Sequence, residues 1–240
     1  VAKPLSIRLT DGPALSPELI HELWALRLRY ITLSKSEEAD KAYFSEFISA
    51  DNSLVASFHA PDGTLGGFFT IAQIPVEHES RKGLLFYSKY FYFDKDYRGH
   101  YKTMLAPWLI LPKAFRRYGL RHLYFVTTAF PQSYVSLARS TGNVRALHDD
   151  KTTAWERHAL DYFSRHYFGE DWKPEPGVVV NQNIADSESV ARGEEAQLLT
   201  ENFERLNPAW REGQSLPIIF PVDWTTISHS FKRTFRRLLR

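Results

Sequence analysis

The chain has 240 residues, of which 43% are hydrophobic, 24% charged and 15% aromatic, a balance that excludes a disordered or fibrous protein and suffices for one large domain with a sizeable core. The absence of cysteine excludes disulfides and thiolate chemistry and fits a reducing compartment, and 30 basic against 28 acidic residues are too balanced for a surface that binds nucleic acid throughout, so any polyanion site is local. No apolar run approaches the ~18 to 20 residues that span a bilayer, and residues 1–8 lack the apolar core of a signal peptide, so the expectation is a soluble cytoplasmic protein.

Ser16, Pro17 and Glu18 open a helix, and Leu19, Ile20, Leu23, Trp24, Arg27, Tyr30 and Ile31 follow at helical spacing, which predicts a helix over 17–31. Ser34 and Glu37 have capping-box spacing ahead of a second stripe of Ala39, Tyr43, Phe44, Phe47 and Ile48, broken by Asp51 and Asn52. Leu54, Ala56 and Phe58 alternate with their neighbours, and Pro61, Asp62 and Gly63 make the turn into 65–74, which predicts a β-hairpin. Residues 84–93 are aromatic and apolar at almost every step, as in a strand buried on both faces.

Tyr101, Met104, Leu105, Trp108, Leu109 and Phe115 lie on one side of a helical stretch that Pro107 and Pro112 kink or divide, and Gly119 suits its end. A strand over 120–128 and a helix from Pro131 to Gly142 follow, and Thr153 with Glu156 caps a helix over 153–167. The character changes near 170, with Pro174, Pro176 and Gly177 around a short valine run. This divides the chain into 1–170 and a carboxyl extension, 171–240. Helix signals return over 188–206, and 216–220 reads as a last strand.

The segment Asp94, Lys95, Asp96, Tyr97, Arg98, Gly99, His100, Tyr101, Lys102, Thr103 sits between the most hydrophobic strand and a helix. Such a junction aims backbone N–H groups and the positive end of the helix dipole at one point, a phosphate site to which Arg98 and Lys102 add charge and Gly99 close approach. With this loop in place, the chain resembles the GNAT acyltransferase superfamily. Residues 93–99 are similar to that family's V-x-P-x-Y-R-G run, with Phe93 at the valine position, Lys95 at the proline position and Arg98 as first residue of the pyrophosphate motif. The two small positions of the motif fall on Tyr101 and Thr103. A leaving-group tyrosine found in many members, in an L-Y-x-x-x-G context, is replaced by Ala138 in Leu137 to Gly142.

The resemblance implies an α/β (α+β) fold, a GNAT-like mixed central sheet flanked by helices, with a helical carboxyl extension. It implies an acyltransferase that moves an acyl group from a CoA or acyl-carrier-protein thioester to an amine of a small-molecule acceptor, without a metal. Phe91, Tyr92 and Phe93 would line the phosphopantetheine, and Arg98, Gly99, His100, Tyr101, Lys102 and Thr103 would hold its phosphate. The crowding residues Tyr101 and Thr103 favour a long acyl chain or a carrier-protein donor. Tyr90 or Asp94, at the end of the key strand, is the candidate catalytic base, with a water chain as alternative and His148 a remoter choice. A non-catalytic GNAT-like interaction module, or a peripheral membrane-binding protein, is the rival reading.

Other constellations are weaker. No zinc spacing is present, His148-Asp149-Asp150 reads as a polar loop before a helix cap, His158 and Asp161 lie one helical turn apart, and Ser136 and Ser140 lack a nucleophile context. At the carboxyl end Phe231, Phe235, Leu238 and Leu239 share helical spacing with Lys232, Arg233, Arg236, Arg237 and Arg240. That basic amphipathic pattern suits an anionic membrane surface, an acidic acyl carrier protein, or packing on the domain. Aromatic and basic residues over 87–102 fit a buried strand and its loop better than a nucleic-acid platform.

Overall fold

The computed structural model describes residues 5–31, 33, 36–97, 112, 122–180 and 193–229. The phosphate-loop residues Arg98, Gly99, His100, Tyr101, Lys102 and Thr103, the helical stretch that follows them, and the basic tail from Phe231 lie outside the described residues. The chain forms two compact units, one from 1–74 and 86–121, the other from 75–85 and 122–240. Each is a β-sheet with packed helices, so the fold is mixed α/β.

In the first unit β1 (Ser6–Asp11) pairs antiparallel with β2 (Ser53–His59), and β2 with β3 (Leu65–His78), whose first part belongs to this unit. Asp62 Oδ1 accepts from Thr64 N at 2.9 Å and Gly63 adopts φ 87, which closes the expected β2–β3 turn. The first helix, α1 (Pro17–Leu28), starts where expected, with Ser16 Oγ accepting from Leu19 N at 3.2 Å, and ends three residues short of 31. In α2 (Glu37–Ser49) the cap is Ser36, whose Oγ accepts from Ala39 N at 3.3 Å. The expected Ser34–Glu37 box is corrected, because Glu37 is the first helical residue and not the third.

The single strand expected over 84–93 is also corrected. It is two strands, β4 (Arg81–Tyr87) and β5 (Phe91–Phe93), separated at 88–90. Burial on both faces holds over 84–87 and fails at Phe91, which is 55% exposed.

In the second unit the end of β3 turns into β4 through Glu79 and Ser80, both at positive φ (48° and 64°), the mirror-image turn whose twist suits a hairpin. β4 neighbours β6 (Leu123–Ala129) there, with Leu84 N donating to His122 O at 3.0 Å. β6 pairs antiparallel with β10 (Leu216–Pro221), and β10 with β7 (Arg145–Ala146). Helix α3 (Pro131–Thr141) ends at Gly142 in the left-handed region (φ 71°), and α4 (Ala154–Phe168) carries the predicted box: Thr153 Oγ1 accepts from Glu156 N, and Glu156 Oε2 accepts from Thr153 N. Two short strands, β8 (Trp172–Lys173) and β9 (Val178–Val179), pair with each other. Helix α5 (Glu194–Leu206) packs with α3 around Ala129, Tyr134, Val135, Phe203 and Leu216.

Candidate active site

All described residues of the candidate site belong to the first unit and are organised by the interruption at 88–90. The sequence Ser88-Lys89 puts a polar pair where a buried strand would need apolar side chains, and Thr70 supplies the alternative partner. Tyr90 N donates to the Thr70 hydroxyl at 3.2 Å while Thr70 N donates to Tyr90 O at 2.9 Å, which hooks the chain back onto β3. From there β5 pairs antiparallel with β3 in the register Phe91↔Phe69, Tyr92↔Phe68, Phe93↔Gly67. Among the described residues no other strand pairs with β5.

The ladder alternates. Tyr90 O and Asp94 N both bond to β3, the latter to Gly66 O at 2.9 Å, so the backbone groups of residues 90, 92 and 94 face β3. Those of Phe91 and Phe93 are therefore directed to the opposite edge. Gly66 and Gly67 make this close approach possible: a Cβ on Gly67 would lie 2.1 Å from the Phe93 ring, and one on Gly66 2.8 Å from the Tyr97 ring. Phe93 also packs edge-on against Phe58, with ring centroids 4.9 Å apart.

Beyond β5, Asp94 shapes the entry to the loop. Its Oδ1 accepts from Asp96 N at 3.4 Å, its carbonyl accepts from Tyr97 N at 2.9 Å to close the turn Lys95–Tyr97, and its Oδ2 pairs with Arg29 Nη1 at 3.2 Å. Those contacts give the carboxylate a turn-forming task, and Asp94 sits two residues from Tyr92 along the chain.

Side chains alternate as the backbone does. Tyr90 and Tyr92 share the face covered by α1 and α2, where an arginine lies inside the protein. Arg27 is 5% exposed; its guanidinium carbon lies 4.8 Å from the Trp24 ring centroid, 5.2 Å from Tyr90 and 5.6 Å from Phe44, and it is ion-paired to Asp40 of α2. Burial works against its charge, but the bond and charge of Asp40 with the nearby tyrosines outweigh it and raise its pKa. Arg27 Nε and Trp24 Nε1 are buried without a hydrogen-bond partner among the described residues.

Tyr90 is 4% exposed, with ring centroids 5.0 Å from Phe44 and 5.4 Å from Phe47. Burial pushes its phenol far above the ordinary range, and the Arg27 charge offsets only part of that. Tyr90 therefore carries its proton at neutral pH, a donor's condition. Tyr92 is raised by burial in the same way and pulled back by the charge of Arg27 and a hydrogen bond with it. Nearby, Lys89 Nζ donates to Tyr43 Oη at 2.6 Å.

Tyr90, Phe91, Tyr92, Phe93 and Asp94 thus come together, while the phosphate-loop candidates lie outside the described residues. Arg27, Asp40, Tyr43 and Lys89 were not among the sequence candidates. The available signal for Arg27 was a charged residue within the apolar stripe of α1. The rival constellations serve local structure: His148 Nε2 meets Pro174 O at 3.0 Å, Asp149 accepts from Lys151 N, and Asp161 accepts from Arg165 and from Trp172 Nε1. Ala138 packs against the apolar cluster of α3 and α5. No group of three potential metal ligands occurs among the described residues.

No family model matches the chain, and no curated protein matches it. Among solved structures it is similar to a probable N-acyltransferase from Enterococcus faecalis, at 15% identity and TM-score 0.42, covering 60% of this chain and 36% of that one. A Trypanosoma brucei acetyltransferase gives 14% identity and TM-score 0.42 over 62% of this chain and 98% of that one. A GNAT family N-acetyltransferase from Escherichia coli in complex with CoA gives 17% and 0.41 over 57% and 68%. The chain therefore spans about a third of the length of the first of these. Likenesses so distant describe those proteins and assign no chemistry to this chain.

Proposed function

We propose that the protein is an acyltransferase that takes an acyl group from a CoA or acyl-carrier-protein thioester and delivers it to an amine on a small-molecule acceptor. The observation that carries this reading is the outer edge of β5: a short strand hooked onto β3 by Tyr90, with the amide group of Phe91 directed away from it. Phosphopantetheine is an extended chain with two amides. It can lie beside such an edge as a further strand would, exchanging hydrogen bonds with the backbone of Phe91. The loop that Asp94 launches then receives the phosphate on Arg98, Gly99, His100, Tyr101, Lys102 and Thr103, as the motif of the resembling family implies. The acceptor amine attacks the thioester carbonyl from the bound geometry, where proximity replaces a bimolecular encounter.

An intact-protein mass spectrometric and calorimetric screen of the full chain against CoA, octanoyl-CoA and acyl carrier protein tests the reading. A donor should bind, and Arg98→Ala should weaken it several-fold without shifting the melting temperature, since a charge-assisted phosphate contact is worth about 1.5 to 3 kcal/mol. No binding by any of the three, or unchanged affinity in Arg98→Ala, overturns the donor site. The first of those results favours the second reading, an interaction module without thioester chemistry, for which Ala138, partly buried against an apolar cluster, speaks.

A further inference from the structure

We infer that the buried hydroxyl of Thr70 positions the acyl donor: it sets where the outer edge of β5 begins, and with it the direction of the Phe91 amide that the donor meets. The inference deepens the donor reading above and rests on it. Its starting point is an oddity of β3. Over 65–74 every residue is apolar or glycine except Thr70 and Gln73, and Thr70 is 0% exposed. A hydroxyl withdrawn from water is costly unless it is bonded, and the bond it finds is with Tyr90 N at 3.2 Å.

That bond departs from an ordinary antiparallel pair. Two facing residues would exchange both of their N–H to C=O bonds, and Thr70 N does donate to Tyr90 O at 2.9 Å. The return bond ends on the Thr70 side chain and not on its carbonyl. A strand side chain stands roughly perpendicular to its sheet, so the hydroxyl draws the Tyr90 amide out of the plane of the ladder, toward the face that Tyr90 and Tyr92 share. One residue later the pairing is regular, with Phe91 opposite Phe69 and Tyr92 opposite Phe68. The bend therefore falls immediately before Phe91, and the Thr70 hydroxyl fixes its place.

A donor feels that bend through Phe91. The amides of phosphopantetheine are a fixed distance apart, so a donor that bonds to Phe91 and reaches the phosphate loop needs Phe91 at a set distance from that loop. The loop end of β5 has its own anchors, Asp94 N on Gly66 O at 2.9 Å and the Asp94 carboxylate on Arg29 at 3.2 Å. Without the hydroxyl, Tyr90 N is left to find the Thr70 carbonyl or no partner, and the start of β5 shifts while Asp94 stays. The loss then falls on the pantetheine arm of the donor and spares its nucleotide. Thr70 touches no donor atom in this arrangement; it is a positioning residue that acts through Tyr90 and Phe91.

The test uses the full chain and two ligands, octanoyl-CoA and adenosine 3′,5′-bisphosphate, which has the nucleotide of CoA without the pantetheine arm. Thr70→Val keeps the shape of the side chain and removes the hydroxyl, and Thr70→Ser keeps the hydroxyl. Calorimetry should show Thr70→Val binding octanoyl-CoA about tenfold more weakly than the parent, the size of one hydrogen bond, with the bisphosphate changed less than about twofold. Thr70→Ser should stay within about threefold of the parent on both ligands. The result is read as the ratio of the two affinities within one preparation, so a variant that is only partly folded still gives it. Equal losses on the two ligands, equal losses in Thr70→Val and Thr70→Ser, or no loss in Thr70→Val overturn the inference while leaving the donor site intact. Absence of octanoyl-CoA binding by the parent removes the reading beneath it.

Discussion

Trp155→Ala is expected to lower the free energy of unfolding by about 3 to 5 kcal/mol, the range for removing a large buried aromatic side chain. Trp155 is 4% exposed, and its indole N–H donates to Arg81 O at 3.3 Å. One edge of the ring fills the space beside Gly83, where a Cβ would come within 2.5 Å of it; the Tyr124 ring centroid lies 4.7 Å away and the Arg81 guanidinium 5.0 Å. Truncation leaves a cavity, removes the indole bond to the Arg81 carbonyl, and strips a cover from Arg81, which also donates to Tyr124 Oη at 2.6 Å. The losses fall on β4, β6 and α4 together. Urea unfolding of parent and variant measures them, and a loss below about 1 kcal/mol contradicts this packing.

Asp40→Ala should cost about 3 kcal/mol, at the lower end of what breaking a buried ion pair costs, because the Asp40 side chain keeps 18% of its exposure while Arg27 keeps 6%. The variant leaves a guanidinium enclosed by Trp24, Phe44 and Tyr90 with its main counter-charge gone. Arg27→Met should cost less, since the stem's packing survives and no unpaired charge remains. The double variant Arg27→Met/Asp40→Leu should recover most of the loss seen in Asp40→Ala, and thermal melts of the three variants decide it. If Asp40→Ala proves the mildest of them, Arg27 does not depend on Asp40.

Sequence reading succeeded where the signal was local. Thr153 and Glu156 lie within one turn of α4, and Ser16, Pro131 and Gly142 each mark a helix end through chemistry confined to a few residues. It failed where the cause was remote. The break between β4 and β5 depends on Thr70, twenty positions before Tyr90, and on Gly66 and Gly67 admitting two aromatic rings. β1 was missed because Ile7 and Leu9 alone carry its alternation, and β7, β8 and β9 are two residues each, too short for a period. Within the candidate site, the aromatic run of β5 was legible as strand sequence, and Arg27 was visible as an odd member of an apolar stripe. Its pairing with Asp40 was not, since the partners sit on different helices thirteen residues apart.

The central claim is that an acyl donor lies along the outer edge of β5, and residue-resolved amide exchange of the full chain, with and without octanoyl-CoA, tests it most directly. Because the ladder alternates, the account predicts slowed exchange at Phe91, whose amide faces that edge, with Tyr92, already bonded to β3, unchanged. Binding that leaves Phe91 unaffected, or that protects only residues of the second unit such as those of β8 and β9, would contradict it.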